Sequence, residues 1–224
     1  MDRTDKIKLT IAFIVCIAIG VSISYLYAEK KTKLTRWIAS GLVKYVSQSE
    51  GLKQSYESLQ EVQVDWSQLL PENEKTVLTK YQQRKASTPS EFTENILRSL
   101  EASTDVSYNE AMISVNTVDT FDGEAISIAG FIVPIDYSDE KGPANIFVVP
   151  YFGACIHFPP PPPNQIIFAQ LEGEFADFEM TQAYRIKGFL RRGLFEDPMG
   201  TSAYIIDVVS IANYDENPDD FRQH

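Results

Sequence analysis

An uncharged apolar run near the N-terminus limits what the first part of this chain can be. Residues 9–28 read LTIAFIVCIAIGVSISYLYA and contain no charged side chain. A membrane-spanning helix needs about 20 consecutive apolar residues, and this run has that length. Tyr25 and Tyr27 lie at its end, where interfacial aromatic side chains are common. We therefore predict a transmembrane helix that acts as a signal anchor over residues 1–28.

A cleaved export signal is the alternative interpretation of this run. The apolar part of such a signal is shorter, about 7–15 residues, and small residues precede the cleavage site. Cleavage after Ala28 would place Leu26 at the −3 position, which is unfavourable. Cys16 follows Phe-Ile-Val and lacks the small residues that precede a lipoprotein cysteine. These features favour an anchor that stays attached. Flanking charge alone slightly favours a cytoplasmic C-terminal part, because four basic residues follow the run closely.

Residues 29–64 are predicted to form a helical stalk. Leu34, Ile38, Leu42 and Val46 recur at the spacing of one helix face. Such a helix either contacts a partner or is a spacer that packs on the main domain. The pattern favours the spacer, because a helix that packs on the surface of a domain needs one apolar stripe.

Residues 65–118 are predicted to introduce the main domain. They open with DWSQLLP, in which Trp66 and both leucines are expected to enter the core, and a polar helix is expected over residues 72–84. A second helix is predicted to start at Thr88, with Glu91 completing a capping box. Four apolar residues are expected to form its buried stripe, namely Phe92, Ile96, Leu97 and Leu100.

Residues 119–216 change to strand and turn patterns, and residues 217–224 form a polar tail. Five strands are predicted over residues 125–136, 145–152, 165–171, 183–192 and 202–214. A short helix is expected over residues 174–180, and mid-strand Gly130 and Gly188 suggest bulges or sharp bends. The fold class is therefore mainly β, a small OB-like Greek-key barrel preceded by helices and the transmembrane helix. A β-sandwich with similar strand spacing is the alternative.

The charge distribution disfavours nucleic acid as a partner. The whole chain has a formal net charge of -11. From Glu101 onward there are six Lys or Arg and twenty Asp or Glu, which gives −14 for the domain. Phosphate backbones would be repelled by such a surface. The domain's basic cluster, Arg185, Lys187, Arg191 and Arg192, is expected to pair with neighbouring carboxylates rather than with headgroups or an acidic partner.

The segment between the second and third predicted strands carries the most unusual pattern. Cys155 and His157 are two residues apart, so their side chains share a face on an extended backbone. Five prolines follow over residues 159–163 and favour a stiff polyproline II conformation. We predict a partner-binding surface made of Pro159, Pro160, Pro161, Pro162, Pro163 and Asn164.

Three interpretations of Cys155 and His157 remain open. As metal ligands they would be two of the four positions that zinc normally fills, with Asp136 as a further candidate. As catalytic groups they would be a thiolate nucleophile and its base, although no third orienting residue is evident. As structural groups they would be a small core cysteine and a histidine that hydrogen-bonds the loop.

The same segment resembles a known family. GACIHFPPPPPNQ preceded by VVPYF resembles the signature of a bacterial family of domains of unknown function, number 3299, and AGFIVPID and DWSQLLP resemble other parts of it. The resemblance covers residues 64–214. Such proteins usually carry an export signal or a lipid anchor, and some are encoded near transport genes linked to metal supply, especially zinc. The resemblance thus implies a periplasmic domain on a single-pass anchor in the bacterial inner membrane, and a metal-homeostasis role by association.

These observations lead to one functional hypothesis and one alternative. The hypothesis is a membrane-anchored accessory or binding module outside the cytoplasm, without enzymatic activity, serving a transporter or another membrane protein, with zinc as the candidate cofactor. The alternative is a thiol-dependent or metal-dependent enzyme that uses Cys155 and His157.

Overall fold

The computed structural model describes residues 43–82, 87–137, 141–153, 160–175, 178–216 and Pro218. Val43–His224 form one compact unit, separate from the residues before them. The predicted anchor over residues 1–28 and the first part of the predicted stalk lie outside the described residues. Within the described ranges, no helix combines the length and the apolar character that a membrane crossing needs.

The described fold is mainly β, with seven strands and four α-helices. In chain order the elements are β1 (Val43–Val46), α1 (Glu50–Glu57), β2 (Val62–Gln63), α2 (Glu72–Lys80), α3 (Pro89–Thr104), α4 (Val106–Met112), β3 (Ala125–Pro134), β4 (Asn145–Val149), β5 (Ile167–Gln170), β6 (Ala183–Asp197) and β7 (Gly200–Tyr214). Two 3₁₀ turns, Trp66–Leu69 and Pro163–Gln165, precede α2 and β5. The mainly β prediction is confirmed.

Five of the strands pair in a closed circuit. β3 pairs antiparallel with β4, and β4 pairs antiparallel with β5. β5 then pairs with β7 in parallel, through Ile167 opposite Tyr204. β7 pairs antiparallel with β6, and β6 returns antiparallel to β3. Each of these five strands therefore has hydrogen-bonded neighbours on both sides. The five strands correspond to the five that the sequence predicts, with ends shifted by up to five residues.

The predicted helical stalk is wrong over its last part. Val43–Val46 is a strand that pairs antiparallel with β7, and Val62–Gln63 pairs in parallel with β3. Only Glu50–Glu57 between them is helical. The valines and Tyr45 in VKYV are β-favouring residues, and hydrogen bonding to an available edge of β7 outweighs the helical spacing that the apolar residues suggest. The domain therefore begins at residue 43 rather than at residue 65.

The main core lies between the strand circuit and the segment that precedes α2. Trp66 and Leu69 are fully buried, as predicted, and the Trp66 Nε1 donates to the Ala129 carbonyl at 2.7 Å. Tyr204 donates its hydroxyl to the Leu69 carbonyl at 2.9 Å and accepts from the Val118 amide at 2.8 Å. These bonds satisfy buried polar groups that would otherwise cost free energy.

Two glycines in the strands allow close approach of neighbouring backbone. A Cβ at Gly130 would lie 2.8 Å from the Val149 carbonyl oxygen, and one at Gly188 would lie 2.3 Å from the Asp207 carbonyl oxygen. The register of β6 against β7 shifts between Lys187 and Gly188, which is the predicted bulge. The predicted helix over residues 174–180 is absent from the described residues there. Phe175 and Phe178 pack instead on the ring of Tyr184.

Helix α3 begins as predicted but does not bury the predicted stripe. The Thr88 side chain accepts from the Glu91 amide, and the Glu91 carboxylate accepts from the Thr88 amide, so the capping box is confirmed. Ala102 is the buried residue of this helix. The four apolar residues that were expected in the core are exposed, at 61% for Phe92, 46% for Ile96 and 60% each for Leu97 and Leu100.

Candidate functional site

The candidate site is the loop between β4 and β5, which we call the proline loop (residues 150–166). The structure describes residues 150–153 and 160–166 of it. Cys155, His157 and Pro159 lie outside the described residues, so their predicted roles stay predictions. What the structure does describe is how both stems of the loop are attached to the domain.

The first stem turns away from β4 at a glycine. Tyr151 is buried against the sheet, whereas Phe152 is exposed and contacts the Phe131 ring at a centroid distance of 5.8 Å. Gly153 has a φ of 76°, a left-handed conformation that glycine adopts without steric cost. The chain therefore turns sharply at Gly153, directly after the first stem.

The second stem is held by two buried amide side chains. The Asn164 Nδ2 donates to the Glu74 Oε2 at 2.7 Å and to the Asn116 carbonyl at 2.9 Å. The Gln165 Nε2 donates to the Trp66 carbonyl at 2.9 Å. Asn164 is 0% and Gln165 is 2% exposed. These bonds join the loop to α2, to the chain after α4 and to the Trp66–Leu69 turn.

This burial corrects part of the predicted contact surface. Pro160 is exposed and Pro163 is half-buried, but Pro161, Pro162 and Asn164 are buried. Buried side chains cannot contact a partner in the arrangement that the structure shows. These three residues therefore fix the loop, and the surface available to a partner within the described residues is narrower than the sequence suggests.

Glu74 is the centre of the polar network beneath the loop. Its Oε1 accepts from the Ser114 hydroxyl at 2.7 Å and from the Asn116 Nδ2 at 2.8 Å, and its Oε2 accepts from Asn164. A buried carboxylate is costly unless hydrogen bonds replace its hydration. Here three donors do so. Sequence reasoning missed Glu74, because nothing in ENEK distinguishes it from the exposed Glu72.

A second apolar cluster lies beside the loop, on the sheet face opposite the main core. We call it the aromatic cluster and define it by Phe131, Phe147, Tyr151, Phe168 and Phe195 with their aliphatic neighbours. Along β4 the side chains alternate, with Ile146 and Val148 in the main core. Sequence reasoning missed this cluster, although the continuous apolar run NIFVV is the signal of a strand covered on both faces.

The aromatic cluster is partly open to solvent and includes both stems of the loop. Tyr151 and Ile166 are buried members of it, while Phe131, Phe168 and Phe195 are only half-buried. The rings of Phe168 and Phe195 stack at a centroid distance of 3.6 Å. The arrangement places a partly exposed apolar surface next to the two stems of the loop.

Among the described residues, no group of three or more His, Cys, Asp or Glu side chains is placed to hold a metal ion. Asp136, the candidate carboxylate ligand, closes the turn between β3 and β4. Its Oδ1 accepts from the Asn145 amide at 2.8 Å and the Ala144 amide at 3.0 Å. Donation from the Asn145 and Ala144 amides lowers the pKa of Asp136. Its oxygens therefore have a structural role.

Three members of the basic cluster pair with carboxylates, as predicted. Lys187 bonds Glu61 at 2.6 Å, and Arg191 bonds the Asp207 carboxylate with two donors at 2.7 and 2.8 Å. Arg192 pairs with Asp119 and Asp122. The fourth member, Arg185, lies over the Tyr214 ring with its guanidinium 4.5 Å from the ring centre. All four basic side chains therefore interact with other side chains of the domain.

The fold and the site define a small, mainly β domain that carries a loop with buried stems beside a partly exposed aromatic surface. The chain belongs to the family described as "Protein of unknown function (DUF3299)", which matches residues 66–213. The resemblance seen in the sequence is thereby confirmed.

One solved structure and the curated proteins complete the comparison. The chain is similar to a DUF3299 family protein from Pseudomonas aeruginosa PAO1, with 26% identity over 70% of this chain and 99% of that chain, and a TM-score of 0.48. No curated protein matches the chain.

Proposed function

We propose that this protein is a non-enzymatic binding module anchored in the bacterial inner membrane, with its domain in the periplasm. The observation that carries the proposal is that the domain holds both stems of the proline loop in place. Asn164 and Gln165 hold one stem through buried hydrogen bonds, and Tyr151 holds the other within the aromatic cluster. Stems that are fixed before binding reduce the conformational entropy that is lost when the loop meets its partner.

We further infer that the strand circuit is an OB-like Greek-key barrel. The support is that β3, β4, β5, β6 and β7 each pair on two sides, and that the only parallel pair among them joins β5 to β7. A barrel of this type is built from five strands that close on themselves and commonly binds ligands on its outer face. The aromatic cluster lies on such a face.

The partner that we propose is a membrane protein of a transport system linked to metal supply, with zinc as the candidate ion. The aromatic cluster and the exposed Phe152 and Pro160 offer an apolar contact surface. The excess of carboxylates over the domain argues against nucleic acid as a partner. Bases can stack on aromatic side chains, but a single strand also needs a positively charged groove along its phosphate backbone.

The partner proposal is tested by photo-crosslinking in intact membranes. A photoreactive residue at Pro160 of the full chain should form adducts with a membrane protein, since Pro160 is the exposed proline of the described loop. The matched control is the same residue at Ser55 on the exposed side of α1. The absence of adducts at position 160, or the same adducts at both positions, would contradict the proposal.

Metal content separates the binding module from its alternative. The purified full chain, dialysed against zinc and measured by elemental analysis, should lose its bound metal in Cys155→Ser and in His157→Ala. Cys16→Ser is the matched control, because it removes the other cysteine. If Cys155→Ser keeps the metal but loses a measurable turnover, the enzyme alternative is correct and the module proposal is wrong.

The membrane topology is tested with reporters fused after Tyr214. A reporter that is active only after export should be active in this fusion, and a reporter that works only in the cytoplasm should be inactive. The opposite pair of results would place the domain in the cytoplasm.

A further inference from the structure

Helix α3 turns its polar side toward the domain and its apolar side outward. Ala102 is buried and Asn95 and Arg98 are half-buried, and these three residues share one side of the helix. Phe92, Ile96, Leu97 and Leu100 lie on the other side and are 46–61% exposed. A helix on the surface of a domain normally does the reverse. This inversion means that the described residues of the domain leave the apolar side uncovered.

The outward side of α3 also carries no charge. At about 100° per residue, Glu91, Glu94, Arg98 and Glu101 all fall within an arc of about 80° on the opposite side. Three of these charges have close partners, since Arg98 bonds Glu94 at 2.6 Å and Glu101 bonds Lys80 at 3.3 Å. We call the outward, charge-free side the α3 face and define it by Phe92, Thr93, Ile96, Leu97 and Leu100.

We propose that the α3 face is the contact between two copies of this chain, paired as antiparallel helices about a two-fold axis at Ile96. Most homo-oligomers are closed by such two-fold contacts, in which one patch meets its own copy. With Ile96 opposite Ile96, residues whose numbers sum to 192 face each other. Phe92 of each copy then packs on Leu100 of the other, on both sides of the Ile96 pair.

Charge favours a second copy over a membrane surface as the occupant of the α3 face. The domain from Glu101 onward has a balance of −14, so two copies repel one another wherever carboxylates meet. The α3 face lets them approach without opposing charges. A membrane surface fits less well, because helices that lie on membranes carry Lys and Arg on their polar side, whereas α3 has three Glu and one Arg there.

The size of the α3 face sets the expected strength of the dimer. A stable interface buries about 800 Å² from each partner. One four-turn helix with four large apolar side chains contributes only part of that area. We therefore expect a reversible dimer that forms in a concentration-dependent way and dissociates more readily than a full-size interface would.

Disulfide crosslinking of the full chain tests the geometry. In a background with Cys16→Ser and Cys155→Ser, Ile96→Cys should give a homodimer under mild oxidation, because the two positions meet on the axis. Glu94→Cys is the matched control, since Glu94 is 60% exposed but lies about 160° around the helix from Ile96. Equal crosslinking at both positions would overturn the proposal, as would adducts of position 96 with a different protein only.

Oligomeric state supplies a second readout that does not depend on a new cysteine. The full chain in mild detergent should sediment as a monomer–dimer mixture that shifts with concentration. Leu100→Glu should raise the dimer Kd by about 100-fold, because each charge enters the interface twice, and Glu94→Gln should not change it. A wild-type chain that stays monomeric at 100 μM, or a dimer that survives both Leu100→Glu and Phe92→Glu, would refute the α3 contact. Binding of the wild-type chain to lipid vesicles through α3 in place of dimerisation would also refute it.

Discussion

Asn164 and Glu74 are 90 positions apart in the chain and meet in a buried hydrogen bond of 2.7 Å from Nδ2 to Oε2. Asn164 follows the five prolines and Glu74 lies in the first turn of α2. The bond ties the most unusual segment of the sequence to a helix that otherwise looks like a plain polar connector. It makes the second stem of the proline loop part of the fold, so the position of that stem depends on residues far from it in the chain.

We predict that Asn164→Ala destabilises the domain by about 1–3 kcal/mol, because the Glu74 carboxylate and the Asn116 carbonyl lose a buried donor. The free energy of unfolding in urea measures this loss. Asn109→Ala is the matched control, since Asn109 bonds the Ser103 carbonyl at the exposed surface. Its effect should stay within about 0.5 kcal/mol. Similar losses in both variants would mean that the buried hydrogen bonds of Asn164 stabilise the domain no more than the exposed bond of Asn109 does.

Tyr204→Phe should cost about 1–3 kcal/mol although it preserves the shape of the side chain. The change leaves the Leu69 carbonyl without its donor and the Val118 amide without its acceptor. Tyr137→Phe is the matched control on an exposed tyrosine. A neutral Tyr204→Phe would show that water replaces both bonds.

Stability should fall as the pH rises from about 10 to 12. Burial raises the pKa of Tyr204 to about 12, and burial also raises the pKa of Tyr56, Tyr45 and Tyr184. The folded state thus holds these protons more tightly than the unfolded state does. Their contribution is complete below pH 10 and is lost as the pH approaches the raised values. Urea denaturation at several pH values measures the slope, which should be shallower in Tyr204→Phe. A free energy of unfolding that does not change over this pH range would contradict the raised pKa values of these tyrosines.

Gly188→Ala should destabilise the domain by about 1–3 kcal/mol, because the added Cβ would lie 2.3 Å from the Asp207 carbonyl oxygen. Gly51→Ala provides the matched control in α1, where a Cβ meets nothing within 4 Å. There alanine should stabilise the helix by about 0.5–1 kcal/mol. Thermal unfolding of the two variants should therefore shift in opposite directions, and shifts of the same sign would count against the close approach at Gly188.

Phe195→Ala should destabilise more than Leu194→Ala, although the two residues are adjacent in β6. Phe195 stacks on Phe168 at 3.6 Å within the aromatic cluster, whereas Leu194 is exposed. We expect about 1–2 kcal/mol for the first change, since aromatic pairs contribute beyond the area they bury. The second should stay within about 0.5 kcal/mol. Chemical denaturation of both variants decides whether the cluster is a cohesive unit.

The sequence allowed the strands to be predicted, because they are long and apolar. The five strands of the circuit are marked by β-branched residues and by turn residues beside them, such as Asp122-Gly123 before β3. The start of α3 was equally clear, because Thr88, Pro89 and Glu91 form a local capping signal. Features that depend on adjacent residues are readable from a single chain.

The features that sequence reasoning missed depend on distant partners. VKYV was assigned to a helix because its hydrogen-bond partner, β7, is about 170 residues away. The apolar stripe of α3 was assigned to the core because amphipathic spacing does not say which side faces the domain. Glu74 carries no local sign of burial, because its donors come from Ser114, Asn116 and Asn164.

Because β1 pairs with β7, the domain is suited to circular permutation. Val43 lies opposite Ala212 in that pair, so the chain enters the domain next to the strand with which the described sheet ends. Domains whose two ends are neighbours tolerate circular permutation. A short linker could therefore join residue 216 to residue 43, with new ends opened at the exposed turn around Gly123. The order in which the strands occur along the chain would change, while the strand pairings would stay the same.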